Sequence, residues 1–279
     1  MHKDLERAFN KLVEILKKDD RCEGAWHYGS ISRGEEDIYS DYDPVTLVYD
    51  KYFEDFDKDV PKFLESISDE LLIFWAEDFN DSNFKNYCSV IRLGENLHQL
   101  DFFIVNADHT DAWMCRQHLK GCTMENLIFD RKGDTVKLLD KGLRTECGKP
   151  DIKRAMDTYW FHLEMLIKYF KRKDIFKVIK NLDFLFHSHV DILLYEYDNL
   201  DWGPWETKVK RCVPEDKKEH LKAYFTKADL CEIERAVKEC IYLFKTDSEE
   251  ICNKYNISYS SKIGEKIISY FNRRMEDNI

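Results

Sequence analysis

Asp41 and Asp43 stand two apart, on either side of Tyr42, just before the β-branched run Pro44-Val45-Thr46-Leu47-Val48. In a strand, alternate side chains leave on one face, so both carboxylates would point the same way. Two such acids repel and raise each other's proton affinity unless a cation lies between them. Mg²⁺, which takes one or two carboxylates together with phosphate oxygens, meets that need. From the pair alone, the plainer reading of "YSDYDP" is a solvated turn. Gly29-Ser30 upstream shifts the balance. A glycine lets backbone come close to a ligand, and a helix N-terminus after it offers N–H groups to phosphate. Ser30 adds a hydroxyl, and Arg33 falls within the next turn. A third acid is expected on a neighbouring strand, and Asp101 is the candidate, set among Leu100, Phe102, Phe103, Ile104 and Val105. A carboxylate there is costly to bury without a cation. It would complete a metal site or serve as general base toward an incoming hydroxyl. The alternative is an acid at a strand end facing water.

These side chains need a sheet to hold them. Leu5, Ala8, Phe9, Leu12, Val13 and Leu16 repeat at three and four, predicting an amphipathic helix over 3–18. Strands are expected at 24–30, 44–50, 70–78, 87–94 and 98–106, the last two joined by a tight turn at "GENL". Helices are expected over 58–68, with Pro61 in the first turn, and over 110–119. The segment 126–140 reads as a hairpin about Lys132-Gly133. Beyond "ECGKPDIKR" the pattern becomes helical throughout, at 151–172, 174–198, 215–226, 228–246 and 261–275. "DNLDWGPWETK" (198–208) is the one marked break, turned by Gly203-Pro204. The expected fold is therefore α+β: a mixed sheet with helices over 1–148, then an all-α helical bundle over 149–279.

Charge restricts the partners. Of the net −11, residues 1–150 carry all of it, with 31 acids against 20 bases, while 151–279 carry 23 of each. A surface for long nucleic acid should be basic, so that partner class is disfavoured, and a divalent metal or cationic small molecule fits better. A solvated acidic surface explains the charge equally well. Nine cysteines fall at 22, 88, 115, 122, 147, 212, 231, 240 and 252, with no Cys-x-x-Cys pair, so reduced thiols are expected rather than a disulfide framework or zinc site. No apolar run is long enough to span a bilayer, and "MHKDLERAFNKL" lacks the apolar core of a signal peptide. A cytoplasmic protein is the expectation.

Gly29-Ser30, ten further residues, Asp41-Tyr42-Asp43 and the later strand acid Asp101 together resemble the nucleotidyltransferase superfamily that includes DNA polymerase β. Within it, "YGSISRGEEDIYSDYD" is similar to the small antibiotic nucleotidyltransferases that modify lincosamides and aminoglycosides. The helices after residue 151 and the Trp-containing break at 198–208 resemble the helical C-terminal domain of those enzymes, so the likeness spans nearly the whole chain. The lincosamide enzymes carry Asp-x-Glu where this chain has Asp-x-Asp, a form usual among the aminoglycoside enzymes, so the resemblance leaves the acceptor open.

The resemblance implies roles. Asp41 and Asp43 would hold Mg²⁺ on the phosphates of a nucleoside triphosphate, most simply ATP. Gly29, Ser30 and Arg33 would bind the nucleotide. Asp101 would bind a second metal or take the acceptor's proton. Nucleoside monophosphate would pass to a hydroxyl of a small antibiotic, releasing pyrophosphate. Lys208, after the break, is a candidate to reach the triphosphate, and Trp202, Trp205 and Tyr197 are candidates to line an acceptor pocket; surface exposure and core packing are their bland alternatives. His187 and His189 sit at i, i+2 on a helix and do not share a face, so they are not expected to bind a metal. A monomer or homodimer is expected. Two other functions stay open: a nucleotidyltransferase acting on a protein or RNA end, and an inactive ligand-binding homologue, against which the intact acid triad argues.

Overall fold

The computed structural model describes residues 2–141, 148–200 and 202–276. Cys147 and Asp201, which lie within segments discussed above, fall outside the described residues. The chain divides into two compact units, Met1–Thr145 and Glu146–Ile279.

The first unit is built on a six-stranded sheet. Its strands are β1 (Cys22–His27), β2 (Pro44–Val48), β3 (Glu70–Ala76), β4 (Phe84–Leu93), β5 (Asn96–Asn106) and β6 (Leu127–Asp130), in spatial order β3-β4-β5-β2-β1-β6. Neighbours are antiparallel except β2 and β5, which run parallel with Val45 opposite Phe103. On one face lie α1 (Lys3–Lys18), α2 (Phe53–Asp57) and α3 (Val60–Ile67). The α1 stripe of Leu5, Ala8, Phe9, Leu12, Val13 and Leu16 is buried there against Leu100, Phe102 and Ile104 of β5. Asp4 and Glu6 at its start and Lys17 and Lys18 at its end match the helix dipole. On the other face, Trp26, Val45, Leu47, Phe103 and Val105 pack with Cys115 of α4 (Trp113–Gln117) and with Leu139 of α5 (Asp134–Lys141).

The hairpin expected at 126–140 is not formed; β6 is followed by α5. The cause is Asp130, whose carboxylate accepts from the N–H groups of Gly133 at 2.7 Å and Val136 at 2.9 Å. That cap satisfies helix-start donors that a returning strand would have paired. Thr135 then donates its hydroxyl proton to the buried Glu23 carboxylate of β1 at 2.8 Å, tying α5 to the sheet.

The second unit is all helical: α6 (Ile152–Lys171), α7 (Ile175–Tyr197), α8 (Trp205–Cys212), α9 (Glu215–Lys222), α10 (Leu230–Lys254) and α11 (Ser261–Glu276). Asp151, Asp174 and Asp229 cap α6, α7 and α10 through their side chains. The core centres on Tyr159 of α6 stacked on Phe244 of α10, with ring centroids 3.6 Å apart. Two expectations change here. The break at 198–208 ends early, because Pro204 initiates α8 at Trp205, and α10 continues to Lys254, well past 246. All eight described cysteines are free thiols.

Candidate active site

Tyr42 decides where its neighbours point. Its ring is buried on the α1 face, stacked on Phe9 at 3.8 Å and 6°. Alternation then sends Asp41 and Asp43 to the opposite face. Two backbone bonds zip the segment into the sheet: the Tyr28 N–H donates to the Asp43 carbonyl, and the Asp101 N–H donates to the Tyr42 carbonyl, each at 3.0 Å. Asp101, on β5 and 58 positions after Asp43 in the chain, is thereby brought beside the pair. Carboxylate oxygens of Asp41, Asp43 and Asp101 all lie within 4.8 Å of one another, the one such group of acids, histidines or cysteines among the described residues that could hold a metal ion.

Gly29 sits against this cluster with φ of +67°. A Cβ there would overlap an Asp43 carboxylate oxygen and lie 2.7 Å from Asp43 Cγ, so both the dihedral and the space require glycine. Ser30 follows in the right-handed helical region, but the element it opens is a single 3₁₀ turn, Ile31–Arg33, closed by Gly34 with φ of +64°. The longer helix N-terminus expected after Gly29-Ser30 is thus reduced to one turn, since Gly34 in the left-handed region stops it. The turn is held by the Ser32 hydroxyl donating to the Gly29 carbonyl at 2.9 Å, and by the Asn126 amide donating to the Ser32 carbonyl at 3.0 Å. Asn126 was not a sequence candidate; only its place in a Thr-x-x-Asn capping box marks it. Ser30 Oγ is buried and has no hydrogen-bond partner among the described residues. Arg33 lies over the Tyr28 ring at 5.5 Å.

Burial and mutual crowding set the electrostatics of the three carboxyls. Burial, followed by the charges of Asp41 and Asp101, pushes the Asp43 carboxyl up to about 8 against the pull of Arg33. Burial raises Asp41 and Asp101 as well. Asp101 is steadied by the Gln99 side-chain amide, which donates to it at 3.1 Å. Gln99 was missed from sequence; two places before Asp101 on β5, it lies on the same strand face. Hard oxygen donors converging in a partly desolvated site, each held away from its ordinary proton affinity, fit a divalent cation such as Mg²⁺.

The remaining candidates belong to the helical unit. Lys208 pairs there with the carboxylate of Asp198 at 2.6 Å and donates to the Leu200 carbonyl at 3.2 Å. Trp202 lies under the Arg211 guanidinium at 5.2 Å. Trp205 packs edge-on against Phe186 and His187 and lines a cavity of about 400 Å³ with Leu182, Tyr224, Phe225 and Ile233. His189 is fully buried and bonds the Asp247 carboxylate at 2.9 Å. That carboxylate also accepts from Lys217 at 2.6 Å and His220 at 2.7 Å. Burial alone would raise Asp247, but these donors more than offset it and hold the group down at about 2. This cluster escaped the sequence reading. Its signal is that Asp247 occupies a core position in the stripe Val237, Ile241, Phe244, Ile251.

The model of the streptomycin adenylyltransferase family matches residues 2–274. No relative is found among curated proteins. Among solved structures, an aminoglycoside 6-adenyltransferase from Bacillus subtilis aligns over 99% of this chain and 100% of its own, at 14% identity and a TM-score of 0.45.

Proposed function

The chain belongs to the streptomycin adenylyltransferase family, antibiotic-modifying nucleotidyltransferases, and on that premise we propose that it transfers AMP from ATP to a hydroxyl of an aminoglycoside, with Mg²⁺ required and pyrophosphate released. The observation that carries the proposal is the convergence of Asp41, Asp43 and Asp101 around a point that Gly29 leaves open. Asp41 and Asp43 would hold Mg²⁺, with Asp101 as a further oxygen donor; when bound, the ion supplies positive charge to the phosphate oxygens. The Gly29 backbone and the Ser30 hydroxyl, which has no partner among the described residues, would receive the β- and γ-phosphates, with Arg33 adding charge on the same side. Asp101, oriented by Gln99, would accept the proton of the attacking hydroxyl. The new bond joins the acceptor oxygen to the α-phosphorus, and the bond from that phosphorus to the bridging oxygen breaks. No covalent enzyme intermediate is needed; positioning and charge neutralisation supply the catalysis.

The test is direct. The protein is incubated with radiolabelled ATP, Mg²⁺ and a panel of aminoglycosides and lincosamides, and products are resolved by mass. A labelled aminoglycoside is expected, heavier by one AMP, with no product from the Asp41→Asn variant. Robust transfer by that variant would remove the metal assignment.

A further inference from the structure

The face of the sheet that carries the acids does not end at Asp101. Side chains at paired positions of adjacent strands share a face and touch. Cys88 of β4 pairs with Asp101, and Trp75 of β3 pairs with Cys88. One row of the sheet therefore reads Asp101, Cys88, Trp75. The row beside it reads Gln99, Val90, Ile73. Glu77 follows Trp75 by two and returns to this face, where its carboxylate accepts from the Cys88 thiol at 3.2 Å. Trp75 is 58% exposed and Ile73 53% exposed. The opposite face at the same strands is covered, with Phe74 stacked on Tyr87 and both packed against the α1 core. So a strip carrying an open indole and a carboxylate leads away from the acid cluster along β4 and β3.

Sheet order gives the strip a direction. Gly29-Ser30 leaves the end of β1, on one side of Asp43, while β4 and β3 lie beyond Asp101 on the other. In phosphoryl transfer the entering and leaving oxygens sit roughly in line on opposite sides of the phosphorus. With the phosphates on the β1 side, the acceptor must approach from the β4–β3 side. Resting on the transferase reading above, we infer that Trp75, Cys88 and Glu77 form the acceptor platform. The indole stacks on the aminocyclitol ring or a guanidinium group, and Glu77 pairs with a cationic nitrogen of the antibiotic. An anion and an electron-rich ring suit a polycationic acceptor and give a neutral one nothing to pair with.

The experiment compares the full-length wild type with Glu77→Gln, Trp75→Ala and Trp75→Phe. Equilibrium binding of labelled streptomycin and of an ATP analogue is measured on each, alongside steady-state kinetics at two ionic strengths. Glu77→Gln and Trp75→Ala are expected to weaken streptomycin binding about tenfold and raise its KM correspondingly, with kcat and ATP-analogue affinity little changed. Trp75→Phe should recover most of the loss, and Glu77→Gln should flatten the salt dependence of the acceptor KM. Wild-type affinity for streptomycin in both Glu77→Gln and Trp75→Ala, or no binding to the wild type, overturns the platform. A wild type that binds streptomycin through this strip yet forms no adenylylated product would sink the transferase reading and leave the platform standing.

Discussion

Asp43 and Asp247 are both aspartates drawn largely out of water, and the two units treat them in opposite ways. Asp247, in the helical unit, is met by Lys217, His189 and His220, and its carboxyl is held at about 2. Asp43, in the sheet unit, meets two more acids, and its carboxyl is driven up to about 8. A buried charge with its donors in place is part of the scaffold. Carboxyls crowded together, with Arg33 drawing Asp43 down only in part, form an arrangement that a bound cation would relieve. The number of acids therefore says less than what surrounds each of them.

The contrast can be broken most severely at the site. Asp43→Asn is expected to lower adenylyl transfer at least about a hundredfold, by analogy with removing a single preorganised transition-state contact. Burial and its neighbours already disfavour the charged form of Asp43, so a neutral isostere costs little, and stability to urea should stay level or rise by about 1 kcal/mol. A variant that loses both activity and stability would contradict the account of Asp43 as a carboxyl crowded by its neighbours. The reverse holds for Asp247→Ala. It should destabilise the protein by about 3–5 kcal/mol in urea denaturation, because Lys217 and His220 lose their partner, while Mg²⁺ affinity measured at low temperature stays unchanged. Next in size is the effect of the ion. Mg²⁺ at a hundred times its Kd should stabilise the wild type by about 2.7 kcal/mol, and the shift should shrink sharply in Asp41→Asn; an equal shift in both would place the ion elsewhere. The smallest effect is pH. His189 is lowered from its usual 6.5, by burial first, and Asp247 from 3.8. Below pH 6.5 the unfolded chain takes up a proton that native His189 declines, and below about 4 it takes another that Asp247 resists until near pH 2. Both contributions are present above those values and are lost as pH falls. Protection factors of the α10 amides, corrected for the intrinsic slowing of exchange in acid, should accordingly fall from pH 6.5 downward, and Asp247→Asn should lack the further fall below about pH 4.

Much of this was legible in the chain and some was not, for identifiable reasons. α1 was readable because its apolar residues keep one period over four turns. Asp101 stood out because an acid among aromatic and β-branched residues conflicts with its strand. The segment at 126–140 misled because Lys132-Gly133 looks like a hairpin tip; the deciding residue, Asp130, acts through its side chain, which strand patterning does not register. α8 was hidden by Gly203-Pro204, which breaks one helix and starts the next. The Asp247 cluster draws its partners from α7 and α9, and no spacing along the chain links His189, Lys217, His220 and Asp247. The strip Asp101–Cys88–Trp75 likewise depends on register across three strands, which only the folded sheet supplies.

The parallel pairing of β2 with β5 also says when the site can exist. β3, β4 and β5 form a local meander and β1 pairs with β2 across the 28–43 connection, but Val45 must find Phe103 across the whole meander. Closing that span carries the larger loop entropy, and contacts of this kind form slowly. Asp41 and Asp43 ride on one side of that seam and Asp101 on the other. A growing chain thus has no assembled acid cluster until its first unit has closed, and Mg²⁺ would hold together a seam that forms late.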